Sequence, residues 1–367
     1  MFITPEQFVA RLGYAELLLY STDYSDDPDF TNVDIKNLIR AKDYNLFPKF
    51  ESNTEEDLIA GIPDRNIFLT DKVKIDGQIN IQLSTYNHNQ LEYFIGCLYE
   101  HMRTAWAGVK SDGTLVSPLD DRLSSHPWFS LGSAYHGIFR QCMVDKFEIS
   151  ISKGNQPIDL SFGIVATDYD PASAFTMRGL ESLTNSPEFL AKHRRVIYGR
   201  DCQILSGTTG VIGHFGLNDA SNSVFAEGSA KPGTSTYITN FSISFENNLE
   251  PVYTMKSTNF NDYRSRFNEN VFPSSYVPKS PRRVSGQIEW HGNVDAYTFY
   301  EKLTGPASIQ NRESLIVDCG PLKIEIKNPV WSLSEKPVGI DEIKRVARFS
   351  AATDSELTIP YYESNYS

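Results

Sequence analysis

Between Val73 and Leu83 apolar and polar residues alternate without a slip. Val73, Ile75, Ile79, Ile81 and Leu83 fall on one side, and Lys74, Asp76, Gln78, Asn80 and Gln82 on the other. Successive side chains of a strand point to opposite faces, so the segment predicts a strand with one dry face and one wet face. Gly77 interrupts the dry face, where a bend, a bulge or a close backbone approach is expected.

The same pattern returns at 283–291. Ile75-Asp76-Gly77-Gln78-Ile79-Asn80-Ile81 aligns without gaps on Val284-Ser285-Gly286-Gln287-Ile288-Glu289-Trp290. Each strand runs within a few residues into an asparagine and then an amphipathic helical pattern. The first helix carries Leu91, Phe94, Ile95, Leu98 and Met102. The second spans Val294 to Thr304, with Asn293 as cap, Tyr297 and Tyr300 towards the strand, and Gly305 just past its end. Between the copies, Phe147, Ile149 and Ile151 alternate with Glu148, Ser150 and Ser152. Lys153-Gly154-Asn155 then turns the chain back through Ile158, Leu160, Phe162 and Ile164, which predicts a hairpin. FSISFENNLEPVYTM, starting at Phe241, reads as a second hairpin with Asn247-Asn248 at its turn. Strands at 322–327 and 345–351 close the chain. Together these elements predict an internal duplication.

The remainder divides the chain. Residues 1–65 are acidic and irregular, with a short helix at 5–12, a strand near 15–21 and long loops, and read as an N-terminal extension or arm. Residues 66–168 form a first unit, 169–235 a connector with a short helix near 187–192 and loops, and 236–367 a second unit. Aromatic residues reach 12% of the chain, which favours half-buried pleated surfaces. The fold class expected is mainly β with short flanking helices.

Composition excludes several functions. The formal charge is −12, and basic residues cluster only in pairs such as Arg194-Arg195 and Arg282-Arg283, which argues against tight nucleic-acid binding. Cys97, Cys142, Cys202 and Cys319 are far apart, so neither a zinc site nor a disulfide framework is expected, and a reducing compartment is. The first residues lack the pattern of a secretion signal, and Leu17-Leu18-Leu19 is too short to span a bilayer. GxSxG, HExxH, Walker A and EF-hand patterns are missing. Ser150-Ile151-Ser152-Lys153 fits SxxK but lies on a strand, where that chemistry needs a helix. Gly207 to Gly216 (GTTGVIGHFG) lacks the lysine of a phosphate loop and reads as a loop. No catalytic residue, metal ligand or cofactor is expected.

FSISFENNLEPVYTM, the basic stretch into RRVSGQIEW, and NVDAYTFYEKL together resemble the tail tube proteins of long-tailed bacteriophages, a family related to the tubes of contractile injection systems. The resemblance is clearest over 238–353 and weaker over 66–168. It implies two tandem antiparallel β-barrel or sandwich units whose strands join between subunits into one large ring barrel, with helices packed outside. The chain would be a structural virion protein, assembled in the host cytoplasm, whose stacked rings form a conduit for viral DNA.

The ring would hold three two-domain chains, or six. Other partners implied are the tape measure, terminator, baseplate and, where present, sheath proteins. Ile75, Ile79, Ile81, Ile288 and Trp290 would pack under the two helices. Asp76, Gln78, Asn80, Gln82, Gln287 and Glu289 would face the bore, a neutral-to-acidic lining past which DNA slides. The rival readings are a tail terminator, distal tail or baseplate ring protein, a carbohydrate-binding β-sandwich, and a glycosidase with paired carboxylates.

Overall fold

The computed structural model describes residues 16–21, 38–54, 58–59, 62–63, 68–84, 91, 94, 108–109, 115–116, 129–133, 137–152, 154–170, 196–206, 210–215, 236–253, 272–291, 314–335, 344–351 and 356–358. The N-terminal strands are β1 (Glu16–Ser21), β2 (Leu38–Ala41), β3 (Asp43–Tyr44) and β4 (Phe47–Thr54). A small ribbon, β5 (Leu58–Ile59) with β6 (Ile62–Pro63), precedes the long β7 (Phe68–Gln82). A second ribbon, β8 (Gly108–Val109) with β9 (Leu115–Val116), leads to β10 (Phe129–Ser133), β11 (Gly137–Ser152), β12 (Asp159–Ala166) and β13 (Asp168–Asp170). Then come β14 (Gln203–Ser206), β15 (Gly210–His214), β16 (Thr236–Glu246), β17 (Leu249–Val252) and β18 (Ser275–Pro278). The chain ends with β19 (Arg283–His291), β20 (Leu315–Asp318), β21 (Lys323–Ile326), β22 (Val330–Glu335), β23 (Lys344–Ala351) and β24 (Glu356–Thr358).

The main sheet is antiparallel throughout. Its order is β3/β4, β7, β12, β11, β16, β19, β23, β22, which makes eight strand positions. β3 and β4 share one position, pairing with successive parts of β7 across the step at Asn45 and Leu46. The seam between the halves is β11 against β16, with Phe147 opposite Phe245, Ile149 opposite Ile243 and Ile151 opposite Phe241. Among the described residues both outer positions, β3/β4 and β22, are free edges, so the sheet is open.

Two further sheets cover the dry face. One runs β2, β1, β10, the first half of β11, then β13. β11 serves both this sheet and the main one, and Gln141, where it passes between them, takes a positive φ of 50°. The other runs β15, β14, β20, β21, β24, and β15 lies parallel to the first residues of β16. The side chains between the sheets form one continuous core that contains Leu18, Ile79, Phe162, Ile204, Phe241, Trp290 and Ile324.

Ile75, Ile79, Ile81, Ile288 and Trp290 are all fully or almost fully buried in this core. Leu91 and Phe94 join them, in helical conformation, with Phe94 packed on Phe129 and Phe162 at ring separations of 5.4 and 5.2 Å. Ile95, Leu98, Tyr297 and Tyr300, and with them the second expected helix, lie outside the described residues, as do the short helices expected at 5–12 and 187–192. Helices were expected over the strands, and sheet strands supply much of the cover described. Leu131 and Phe139 lie over the first half; Ile204, Phe215 and Val317 lie over the second.

The two aligned strands, β7 and β19, both stand second in their half and run in the same direction. Their glycines meet the same constraint. A Cβ on Gly77 would strike the backbone of Asn45 and Leu46, and one on Gly286 the carbonyl of Ser242 and the ring of Phe349. In each case the obstacle includes backbone of the preceding strand position, which has come close because the side chain is missing.

The structure differs from the sequence expectation in three places. Asn247-Asn248 is not a hairpin turn: β17 pairs with β18, not with β16. Asn247 instead donates its side-chain amide to Val144 O at 3.0 Å and its backbone N–H to Asp145 O at 2.7 Å. Asn248 takes the left-handed conformation, φ 55°, that redirects the chain. Within Gly207 to Gly216, residues 210–214 are strand β15 and not loop, because they find an edge on β14. The long loops read before residue 65 include β2, β3 and β4, which are too short or too irregular in alternation to show locally; β4 hydrogen-bonds along β7 for most of its length.

The close approach at Gly286 makes Gly286→Val expensive, by about 1–3 kcal/mol, because Phe349 and the β16 backbone are both fixed by the sheet. Trp290→Ala leaves a cavity worth about 3–5 kcal/mol. Both appear as lowered denaturant midpoints, with the secondary structure of the surviving folded fraction unchanged by circular dichroism.

Candidate functional site

The face of the main sheet away from the core is polar. Strand pairing sets its side chains in rows, one of which crosses all eight positions. One row reads Asp43, Asn80, Ser161, Glu148, Ser244, Ser285, Ser350, Val330. The next reads Gln82, Asp159, Ser150, Ser242, Gln287, Arg348, Ser332. On the other side of the first lie Gln78, Gly163, Lys146, Glu246 and Arg283. Between β11 and β22 this face is concave, and its serines, with Glu148, Glu246, Arg283 and Arg348, line a single groove.

All six residues expected on the wet face are here, each half-exposed. Asn80 bonds through its amide to Asp43, and the Gln78 N–H donates to Asn45 Oδ1 at 2.5 Å. Gln82 is opposite Asp159, and Gln287 lies between Ser242 and Arg348. Glu289 lies between Asn240 and Val346. The seam puts Gln82 and Gln287, from the two halves, into one row. Asp76 has a different setting, at the margin of the face. There the β17–β18 ribbon folds over it, so that Leu249 and Tyr276 cover Met143 and Val165 in a small second core. The Tyr276 hydroxyl donates to Ile75 O and that of Tyr253 to Val73 O, pinning the ribbon to β7.

Charge on this face is mixed, where a neutral-to-acidic lining was expected, but four of the lysines described on it are paired. Lys42 meets Asp159 at 2.8 Å, Lys74 meets Asp76 at 2.7 Å, and Lys49 also bonds Asp76. Lys146 sits between Glu148 at 2.8 Å and Glu246 at 3.1 Å. The residues that carry these pairs from neighbouring strands were missed in the sequence. Glu148 was visible in the alternation of 147–152, but nothing local shows that Lys146 and Glu246 face each other across the seam.

Buried thiols and acids lie elsewhere. Cys142, Cys202 and Cys319 are buried as free thiols, and burial pushes the Cys142 thiol well above its ordinary range. Burial also raises the Asp145 carboxyl, even though it accepts the Leu249 N–H at 2.7 Å. Among the described residues no three His, Cys, Asp or Glu side chains gather to hold a metal ion, and no helix is long and apolar enough to cross a membrane.

Asp76 has an acid-sensitive role. Burial alone would raise its carboxyl, but Lys49 and Lys74 outweigh that and hold it below the ordinary carboxylate value. A carboxyl whose folded pKa lies below its unfolded pKa stabilises fully above the unfolded value and loses that contribution as pH falls through the folded one. Asp76→Asn is therefore less stable than the parent at neutral pH, by at most about 1 kcal/mol given the exposed lysines. The two denaturation midpoints converge as pH falls below about 4.

The profile of the phage tail tube protein family matches residues 8–291, most of the chain. The match takes in much of the N-terminal stretch and the connector, where the sequence by itself suggested no counterpart. No curated protein matches the chain. An antiparallel β architecture with a family match of this extent leaves one assignment: the chain belongs to the phage tail tube protein family and is a structural subunit of the phage tail.

Proposed function

We propose that copies of this chain join edge to edge into a ring whose polar face lines a bore for viral DNA, and that such rings stack into the tail tube. The observation that supports this reading is the form of the main sheet: an eight-position antiparallel sheet, open at both edges, with a covered face and a concave polar face. A free edge is a row of unpaired N–H and C=O groups, an aggregation hazard that closure removes. An even number of alternating strands makes β22 of one chain antiparallel to β3/β4 of the next, so rotation-related copies can close the sheet with no parallel junction.

Three chains fit best. They contribute twenty-four strands, and at about 4.8 Å per strand this gives a backbone diameter of roughly 37 Å before tilt is counted, larger than the 16- to 18-stranded barrels that hold only water. Each half of the chain then acts as one of six similar units, with 66–168 and 236–367 as their cores. The role is mechanical, and no catalytic group takes part. The partners are other copies of the chain and the proteins at the ends and along the axis of the tail.

Concentrated purified protein, alone or with tail initiation proteins, is expected to give rings and tubes of three-fold symmetry by electron microscopy. Persistent monomers under both conditions would refute the proposal. Val330, exposed at 63% on the edge strand β22, offers a second check. Val330→Lys leaves the fold intact and blocks strand addition, so it is expected to give soluble monomers by light scattering with a wild-type denaturation curve.

A further inference from the structure

We infer that the groove between β11 and β22 touches DNA phosphates through Arg283 and Arg348, while Glu148 and Glu246 withhold Lys146 from that contact. The inference rests on the conduit reading above. Arg283 and Arg348 are exposed side chains of β19 and β23 and line one groove with Glu148 and Glu246. By register Glu246 stands directly opposite Arg283, yet its carboxylate is turned to Lys146 at 3.1 Å and accepts the Ser244 hydroxyl at 3.2 Å. Glu148 holds the same ammonium group at 2.8 Å from the other side. Lys146 is thus clamped by two carboxylates, and its ammonium group is stabilised in the charged form although burial works against it.

The pattern extends over the face. Lys42, Lys49 and Lys74 each meet a carboxylate, whereas among the described residues neither Arg283 nor Arg348 has one within ion-pair distance. Arginine presents a planar fork that matches a phosphate, and the serine hydroxyls beside it donate without adding charge. Arg348 shares a row with Gln287, four residues from Arg283 on β19, so the backbone positions of the two arginines are offset by about 13 Å along the strands. Two arginines without a carboxylate partner give a weak, salt-sensitive contact, in which DNA is touched but not gripped. Freeing Lys146 would strengthen it.

The test uses assembled tubes of the full chain and a fluorescent duplex DNA, sedimented together over a salt series. Arg283→Gln with Arg348→Gln is expected to weaken binding several-fold and to flatten the dependence of log affinity on log salt by ~0.9 per lost contact. Glu148→Gln with Glu246→Gln is expected to strengthen binding and steepen the slope, and adding Lys146→Gln is expected to reverse that gain. Ser350→Cys, in the same groove, separates the phosphate contact from the conduit itself. Shielding of this cysteine in intact tubes from a maleimide carried on a large polymer, with affinity and slope unchanged in every variant, overturns the inference alone. Reaction of the cysteine with that reagent in intact tubes puts the polar face outside, and overturns the conduit reading together with the inference.

Discussion

The pairing of β11 with β16 joins two groups of four strands that the chain builds nearly a hundred residues apart. Seven register pairs run along it, from Lys146 opposite Glu246 to Ser152 opposite Asn240, and every second pair is apolar and buried. Each buried aliphatic or aromatic side chain here contributes about 1.5–3 kcal/mol, and the ladder satisfies backbone groups that would otherwise be exposed edges. With the seam in place the alternation of both halves falls on common sides. A one-residue slip would turn Phe147, Ile149 and Ile151 to the polar side and Glu148 and Ser150 into the core, so burial itself enforces the register.

Once that register is set, the electrostatics of the polar face follow. Lys146 finds Glu246 only because the seam brings their strands side by side, and Glu148 because it is two residues away on the same face. The same logic gives Asp159 to Lys42 and Asp76 to Lys49 and Lys74. Such pairs add little to stability at a wet surface. Their effect is on the field outside the face: lysines already bonded to carboxylates attract passing phosphates far less than free ones. The ribbon β17–β18 has a different part, closing one end of the face with Leu249 and Tyr276 where the strands would otherwise expose Met143 and Val165.

Local signals failed where a strand's character came from its neighbours. β4, FPKFESNT, has neither strict alternation nor a hydrophobic run, and it is a strand because β7 offers it an edge. The glycine-rich segment 210–214 is a strand for the same reason, beside β14. Asn247-Asn248 looked like a turn because asparagine tolerates positive φ, and Asn248 does adopt it. The bend it makes separates β16 from β17 without reversing the chain onto β16, since β16 already has β11 and β19 on its two sides.

The residue pattern alone reveals the class of fold, the two long alternating strands, the hairpin of 147–164, and which side chains of β7 and β19 are dry and which wet. These depend on the strict period of two, a property of the strand and not of its partners. Which strands are neighbours emerges in the folded chain, and with it that Gln82 and Gln287 share a row, that Glu246 answers Lys146 and not Arg283, and that Asp76 lies beside a ribbon. Strand pairing is a long-range choice made by packing and by the need to satisfy every buried backbone group. Alternation shows which way a residue faces; the assembled sheet sets what it faces.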